Sequence, residues 1–83
     1  MRDVYIVGVD MIKFGRYPDR TVPGLAAEAA LLALDDAGLG IDQMQALFCG
    51  NLGQANNMIG QRMLAEIGQT GIPVVNVANA CAT

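Results

Sequence analysis

Apolar residues along this 83-residue chain come in short blocks whose spacing alternates between that of strands and that of helices. The first block, residues 4–9, is a compact run with several β-branched side chains between two aspartates. Such a run predicts a strand that is buried on both faces. Two further runs, residues 46–50 and residues 74–78, predict a second and a third strand.

The segment between the first two runs carries the signals of a helix. Thr21 can cap its start, Pro23 fits the first turn, and residues 25–37 are rich in alanine. Many small side chains allow a helix to lie close to a sheet. Gly38 is placed to end this helix.

A second helix is predicted between the second and third runs. Residues 58–67 repeat apolar side chains at four-residue spacing, and Gly68 is placed to end the helix. Asn56 or Asn57 can cap its start. A short helical turn is predicted earlier, at residues 41–44.

The order strand, helix, strand, helix, strand predicts a parallel α/β layer with its helices over the sheet. We see no second domain, so residues 1–83 are expected to form a single unit. Hydrophobic residues make up 53% of the chain and charged residues 16%, against roughly 45–50% and about 25% in soluble domains. We therefore expect an incomplete layered α/β domain that does not hold its fold and activity alone.

Charge and cysteine content narrow the classes of function. The net charge is −3 with five cationic residues, so no basic stripe is available for nucleic acid. Apolar stretches fall short of the ~18 residues of a membrane span, and no secretion signal is apparent. Two cysteines and no histidine favour reduced thiols in the cytoplasm and argue against a metal site.

Cys81 is the strongest candidate for chemistry. It follows the third predicted strand and precedes small residues that could open a helix. The unpaired N–H groups and the dipole at a helix start favour the thiolate, which is the reactive form. A small buried hydrophobic role is the alternative. The chain contains no histidine that could act as the base.

Several polar residues between the second strand and the second helix have two readings. Asn51, Gln54, Asn56 and Asn57 could line a pocket or a subunit contact, or they could satisfy the backbone of their own loop. Cys49 lies within the second predicted strand, and we interpret it as a core residue.

The remaining candidates favour structural roles. Asp35 and Asp36 are expected on a solvated helix face rather than in acid–base catalysis. Arg62 could reach a phosphate of coenzyme A, although a surface or interface ion pair is the simpler interpretation. Met58 and Met63 are expected in the core.

Four segments together resemble a known family: residues 4–9, residues 13–15, residues 50–51 and, above all, residues 76–83. They look like the start of a thiolase, in the subgroup that contains the thiolase part of sterol-carrier-protein X and its bacterial and archaeal relatives. The similarity covers essentially the whole chain, as the opening portion of the family's two-domain subunit. It implies the N-terminal β-α-β-α-β part of a thiolase-like fold.

The resemblance implies an acyl-CoA C-acyltransferase. In the family, the cysteine that matches Cys81 is acylated by an acyl-CoA and then attacked by a carbanion from a second acyl-CoA. The backbone N–H of Cys81 can also donate to the oxyanion. Coenzyme A enters as the thioester substrate, and no cofactor is expected. The family's other catalytic groups map onto none of these residues.

Two departures from the family pattern leave the reaction open. Asp10 stands where relatives often carry glycine, and Asn79-Ala80 before the cysteine differs from the common thiolases. The second departure points to the sterol-carrier subgroup, which includes retro-aldolases of steroid side chains that need no acyl-cysteine. Retro-aldol cleavage is therefore the alternative reaction. A non-catalytic structural fragment that pairs with another chain is the alternative from a different class.

The family also implies an assembly. Its strand before the cysteine lies at a dimer contact, antiparallel to the same strand of a second subunit. We therefore expect residues 75–79 to approach their symmetry mate, with Asn76 and Asn79 able to bond across the two-fold axis. A homodimer or higher oligomer is expected, or alternatively pairing with a separate partner chain.

Overall fold

The computed structural model describes residues 2–51 and 58–79 of the protein. Within these ranges the chain forms two helices, two strands and a short 3-10 turn. In chain order they are α1 (Val22–Ala37), the 3-10 turn (Ile41–Gln43), β1 (Leu47–Gly50), α2 (Ile59–Ile67) and β2 (Val74–Val77).

Helix α1 begins and ends where the sequence predicts. The Thr21 hydroxyl accepts a hydrogen bond from the Gly24 N–H at 3.1 Å, which satisfies one of the free N–H groups of the first turn. At the other end, Gly38 adopts the left-handed region with φ 72°. The Gly38 and Leu39 N–H groups then bond back to the carbonyls of Asp35 and Leu34, a Schellman arrangement that glycine favours.

Helix α2 confirms the predicted span but not the predicted cap. Its N-cap residue is Met58, which has φ 53° and makes no capping bond through its side chain. The expectation that Asn56 or Asn57 occupies the cap position is therefore wrong, and both asparagines lie outside the described residues. The helix ends at Gly68, as predicted.

The sheet confirms the α/β class and the parallel pairing of the last two predicted strands. Leu47 lies opposite Val74, and Cys49 lies opposite Asn76. Helix α2 packs against both strands, whereas α1 packs chiefly against α2. The expectation that both helices lie directly over the sheet thus holds for α2. The finer thiolase-like arrangement stays a prediction.

The first predicted strand is not observed. Residues 4–9 adopt no regular secondary structure, and Val4 and Ile6 are 91% and 86% exposed. The expectation of a strand buried on both faces is wrong for this structure, because no described strand pairs with the segment. The segment instead touches α1: a Cβ added at Gly8 would lie 2.6 Å from the Ala33 carbonyl oxygen and 2.7 Å from the Ala37 Cβ.

The core is small and lies where α2 meets its neighbours. Its buried apolar side chains are Ala27, Cys49, Ile59, Met63 and Leu64. Met63 confirms its predicted core position, whereas Met58 is 54% exposed, so the prediction for Met58 is wrong. None of the helices within the described ranges is long and apolar enough to cross a membrane.

Candidate functional site at the carboxyl ends of the strands

The carboxyl ends of β1 and β2 lie side by side. Gly50 is opposite Val77 in the parallel register, and the Asn51 N–H extends the pairing by one bond, 3.0 Å from the Val77 carbonyl oxygen. In open α/β sheets, ligands bind in the crevice outside the carboxyl ends of the strands. This edge is therefore the candidate site, and Cys81 follows Val77 by four residues in the sequence.

One asparagine of β2 connects this edge to α2. The Asn76 Oδ1 accepts a hydrogen bond from the Gly60 N–H at 2.7 Å. The Asn76 Nδ2 donates to the Gln61 Oε1, also at 2.7 Å. Asn76 is half-buried, so both bonds are partly shielded from water and each matters more than a surface contact would.

Gly60 allows the helix to come this close. A Cβ at this position would lie 2.6 Å from Val74 Cγ1, 2.9 Å from Asn76 Oδ1 and 3.2 Å from Cys49 Cβ. Only a residue without a side chain fits such an approach. Gly60 was not among the predicted site residues. Its signal in the sequence is a glycine inside a helical pattern, which costs stability unless packing requires it.

Cys49 lies beneath this contact and behaves as a core residue. Its thiol is free and buried, and desolvation by burial raises its pKa. A raised pKa keeps the group as the neutral thiol at pH 7, which is a poor nucleophile. The interpretation of Cys49 as a core residue is confirmed.

Cys81 lies outside the described residues, so its role stays a prediction. The same holds for Gln54, Asn56 and Asn57, whose readings as pocket or loop residues are untested. Asn51 is described at the end of β1, where its backbone bonds to β2.

The remaining charged candidates lie away from this edge. Asp35 and Asp36 are both exposed on α1, which confirms their solvated positions. The Asp36 Oδ2 also accepts a hydrogen bond from the Val9 N–H at 3.0 Å, so Asp36 contacts the N-terminal segment. Arg62 is exposed on α2. No group of three potential metal ligands occurs among the described residues.

A separate apolar cleft lies between the helices and the N-terminal segment. Its volume is about 340 Å³, and its lining includes Gly8, Leu34, Ile41 and Met63. All of its lining residues are apolar and none is titratable. The cleft can therefore accommodate an apolar group but offers no side chain for acid–base chemistry.

Comparison with known proteins places the chain beside lipid-transfer proteins and acyltransferases. It is 45% identical over 83 residues to a non-specific lipid-transfer protein-like 2 from Caenorhabditis elegans, covering 96% of this chain and 20% of that protein. It is 40% identical over 87 residues to human sterol carrier protein 2, covering all of this chain and 16% of that protein.

Similarity extends to an archaeal enzyme. An acetyl-CoA acetyltransferase from Methanothermobacter thermautotrophicus is 35% identical over 88 residues, covering all of this chain and 23% of that protein. The chain thus spans less than a quarter of the length of these relatives. No protein-family model matches it. The resemblance predicted from the motifs is confirmed: over nearly its whole length, the chain is similar to sterol carrier protein 2 and to acetyl-CoA acetyltransferases.

Proposed function

We propose that the chain is part of a thiolase-like acyl-CoA C-acyltransferase in which Cys81 carries the acyl group. The similarity to acetyl-CoA acetyltransferases across the whole chain is the observation that carries this proposal. The structure supports it by setting the carboxyl ends of two parallel strands side by side, with Cys81 shortly after the second. Cys49, the other cysteine, is buried and has a raised pKa, so it is unsuited to the role.

The proposed step is a transfer between two sulfur atoms. The Cys81 thiolate attacks the carbonyl carbon of the thioester, the bond from that carbon to the coenzyme A sulfur breaks, and coenzyme A leaves as a thiolate. The proton given up by Cys81 restores the thiol of coenzyme A. A second acyl-CoA loses an α-proton to a base elsewhere in the complete protein, and the resulting carbanion attacks the carbonyl carbon of the acyl-cysteine. The bond from that carbon to the Cys81 sulfur breaks, and Cys81 leaves as a thiolate. This division of one difficult reaction into two easier ones is the advantage of a covalent intermediate.

The test uses the complete protein and acetyl-CoA. Mass spectrometry of the peptide that contains Cys81 should detect an acetyl group after brief incubation. Cys81→Ala should abolish this intermediate and leave the fold intact. Cys49→Ala is the matched control, because it removes the other thiol and should leave acetylation unchanged. Wild-type turnover of β-ketoacyl-CoA by Cys81→Ala would contradict the proposal. Wild-type cleavage of a β-hydroxyacyl-CoA by the same variant would favour retro-aldol cleavage, which needs no acyl-cysteine.

A second candidate function is the binding of a lipid chain without acyl transfer. The relatives named as a lipid-transfer protein and as sterol carrier protein 2 favour it, as does the apolar cleft of about 340 Å³, within the usual size of ligand pockets. Displacement of a fluorescent fatty acid would test it. Ala33→Phe, whose bulk would fill the cleft, should weaken that binding several-fold without affecting acetylation of Cys81.

We further propose that the complete protein assembles through β2. Val75 and Val77 are 41% and 42% exposed, and β1 is the only strand that pairs with β2 in the part of the chain that the structure describes. An exposed strand edge invites pairing with a second copy. Light scattering should report a dimer or a higher oligomer, and a stable monomer would contradict the proposal.

A further inference from the structure

The first turn of α2 receives its cap from a strand instead of from its own N-cap residue. Met58 occupies the N-cap position in the left-handed region, with φ 53° and ψ 49°, and its side chain makes no capping bond. The first N–H groups of a helix need acceptors from outside the helix. The Gly60 N–H finds its acceptor in the Asn76 side chain, sixteen residues away in β2.

The same amide holds a second residue of that turn. Asn76 accepts from Gly60 through its oxygen and donates to the Gln61 side chain through its nitrogen, both at 2.7 Å. The Gly60 N–H can only donate, so it fixes the Asn76 oxygen toward the helix backbone and leaves the Asn76 nitrogen to bond with Gln61. A shift of β2 along α2 would lengthen at least one of these bonds. Asn76 therefore ties the strand to the first turn of the helix at a defined position.

We infer that Asn76 is a positioning residue for Cys81. This inference rests on the proposed function, in which Cys81 carries the acyl group. Asn76 precedes Cys81 by five residues in the sequence, and its two bonds hold β2 against α2. A displacement of about 1 Å at a reacting atom can cost on the order of a hundredfold in rate. The two hydrogen bonds of Asn76 therefore affect the rate of acylation as well as the stability of the fold.

The experiment compares three substitutions in the complete protein, with acetyl-CoA as the acyl donor and the acetylation rate constant of Cys81 as the readout. Asn76→Leu keeps the branched shape of the side chain and removes both bonds, and it should slow acetylation by about tenfold or more. Gln61→Ala removes one bond and should slow it about threefold. Asn76→Asp should stay within about twofold of wild type, because Gln61 can turn its amide and donate to the carboxylate.

Thr21→Ala is the matched control for a purely structural effect. It removes a helix-capping bond of the same kind in α1, from the Gly24 N–H to the Thr21 hydroxyl. It should lower the melting temperature and leave the acetylation rate unchanged. The kcat and KM values of all variants complete the comparison. If the substitutions at Asn76 and Gln61 displace Cys81, they should lower kcat, with a smaller change in KM.

The outcomes separate this inference from the proposed function. Absence of acetyl-Cys81 in the wild type would overturn both. Acetylation of the wild type and of Asn76→Leu at equal rates would overturn this inference alone. If Asn76→Leu fails to fold, Gln61→Ala decides, because it leaves the cap of α2 in place. A wild-type rate in Gln61→Ala would then count against the positioning role.

Discussion

Residues 4–9 and strand β2 have similar apolar, β-branched sequences, yet they adopt different structures. β2 bonds to β1 along its length and is covered on one face by α2. Residues 4–9 pair with no strand in the part of the chain that the structure describes. They contact α1 through the close approach of Gly8 and through the hydrogen bond from the Val9 N–H to Asp36. The comparison teaches that strand propensity reflects packing and pairing more than an intrinsic preference of the backbone.

Glycine marks the closest contact in both regions. Gly60 lets α2 approach β1 and β2, and Gly8 lets the N-terminal segment approach Ala33 and Ala37 of α1. Around Gly60, hydrogen bonds and buried side chains surround the contact. Around Gly8, the neighbouring Val7 and Val9 are 65% and 67% exposed. A close approach therefore gives an ordered element only when the residues beside it are also buried or paired.

The largest expected difference between the two regions lies in backbone protection. The Leu47 and Asn51 N–H groups bond to carbonyls at either end of the β2 pairing. We expect these amides to exchange with deuterium at least about a hundredfold more slowly than those of residues 4–7, since paired core strands open rarely. Hydrogen exchange followed by mass spectrometry measures this. Equal protection in residues 4–7 would mean that the segment pairs as a strand in solution, and the comparison would fail.

The next largest effect is expected at Gly60. Gly60→Val places atoms where Val74, Asn76 and Cys49 already lie, and the resulting strain should lower the free energy of unfolding by about 3 kcal/mol. Gly15→Ala is the control in the N-terminal region, because its nearest contact is the Tyr17 ring at an ordinary 3.7 Å. Urea denaturation of the complete protein measures both. A similar loss in the two variants would show that packing near Gly60 is not special.

These contacts also explain what the sequence could and could not predict. Thr21 and Gly38 act on residues a few positions away, so the ends of α1 could be predicted from local chemistry. The apolar runs of β1 and β2 correctly predict strands because the two runs pair with each other and α2 packs against both. The exposed segment of residues 4–9 depends on whether a partner strand is present, which no local pattern specifies.

The site was less predictable than the fold. The cap of α2 comes from Asn76, which lies sixteen residues from Gly60. The residues next to Gly60 in the sequence therefore do not show where its hydrogen-bond acceptor lies. The loop asparagines before α2 have the usual capping chemistry but do not occupy the N-cap position. The role of Cys81 rests on its motif and on the similarity to acetyl-CoA acetyltransferases, and it stays a prediction.

A smaller effect is expected from the Cys49 thiol. Burial raises its pKa in the folded protein, so above the ordinary thiol pKa of about 8.5 the unfolded chain loses this proton first. The unfolded state then binds fewer protons, and stability falls as the pH rises. Urea midpoints at pH 7.5 and pH 9.5 should therefore differ more in wild type than in Cys49→Ala. The same pH dependence in both proteins would refute this assignment.

The smallest effect is expected at the ion pair between Arg20 and Glu28, near the start of α1. The two charged groups lie 2.6 Å apart, but their side chains are 40% and 45% exposed. Water and salt screen such a pair, so Glu28→Gln should change the free energy of unfolding by less than about 0.5 kcal/mol. The difference should shrink further when the denaturation is repeated at about 1 M salt, where the Debye length is roughly 3 Å. A loss above 1 kcal/mol that persists in high salt would mean that this pair is shielded from water. The start of α1 would then resemble the packed region around Gly60 more than the exposed N-terminal segment.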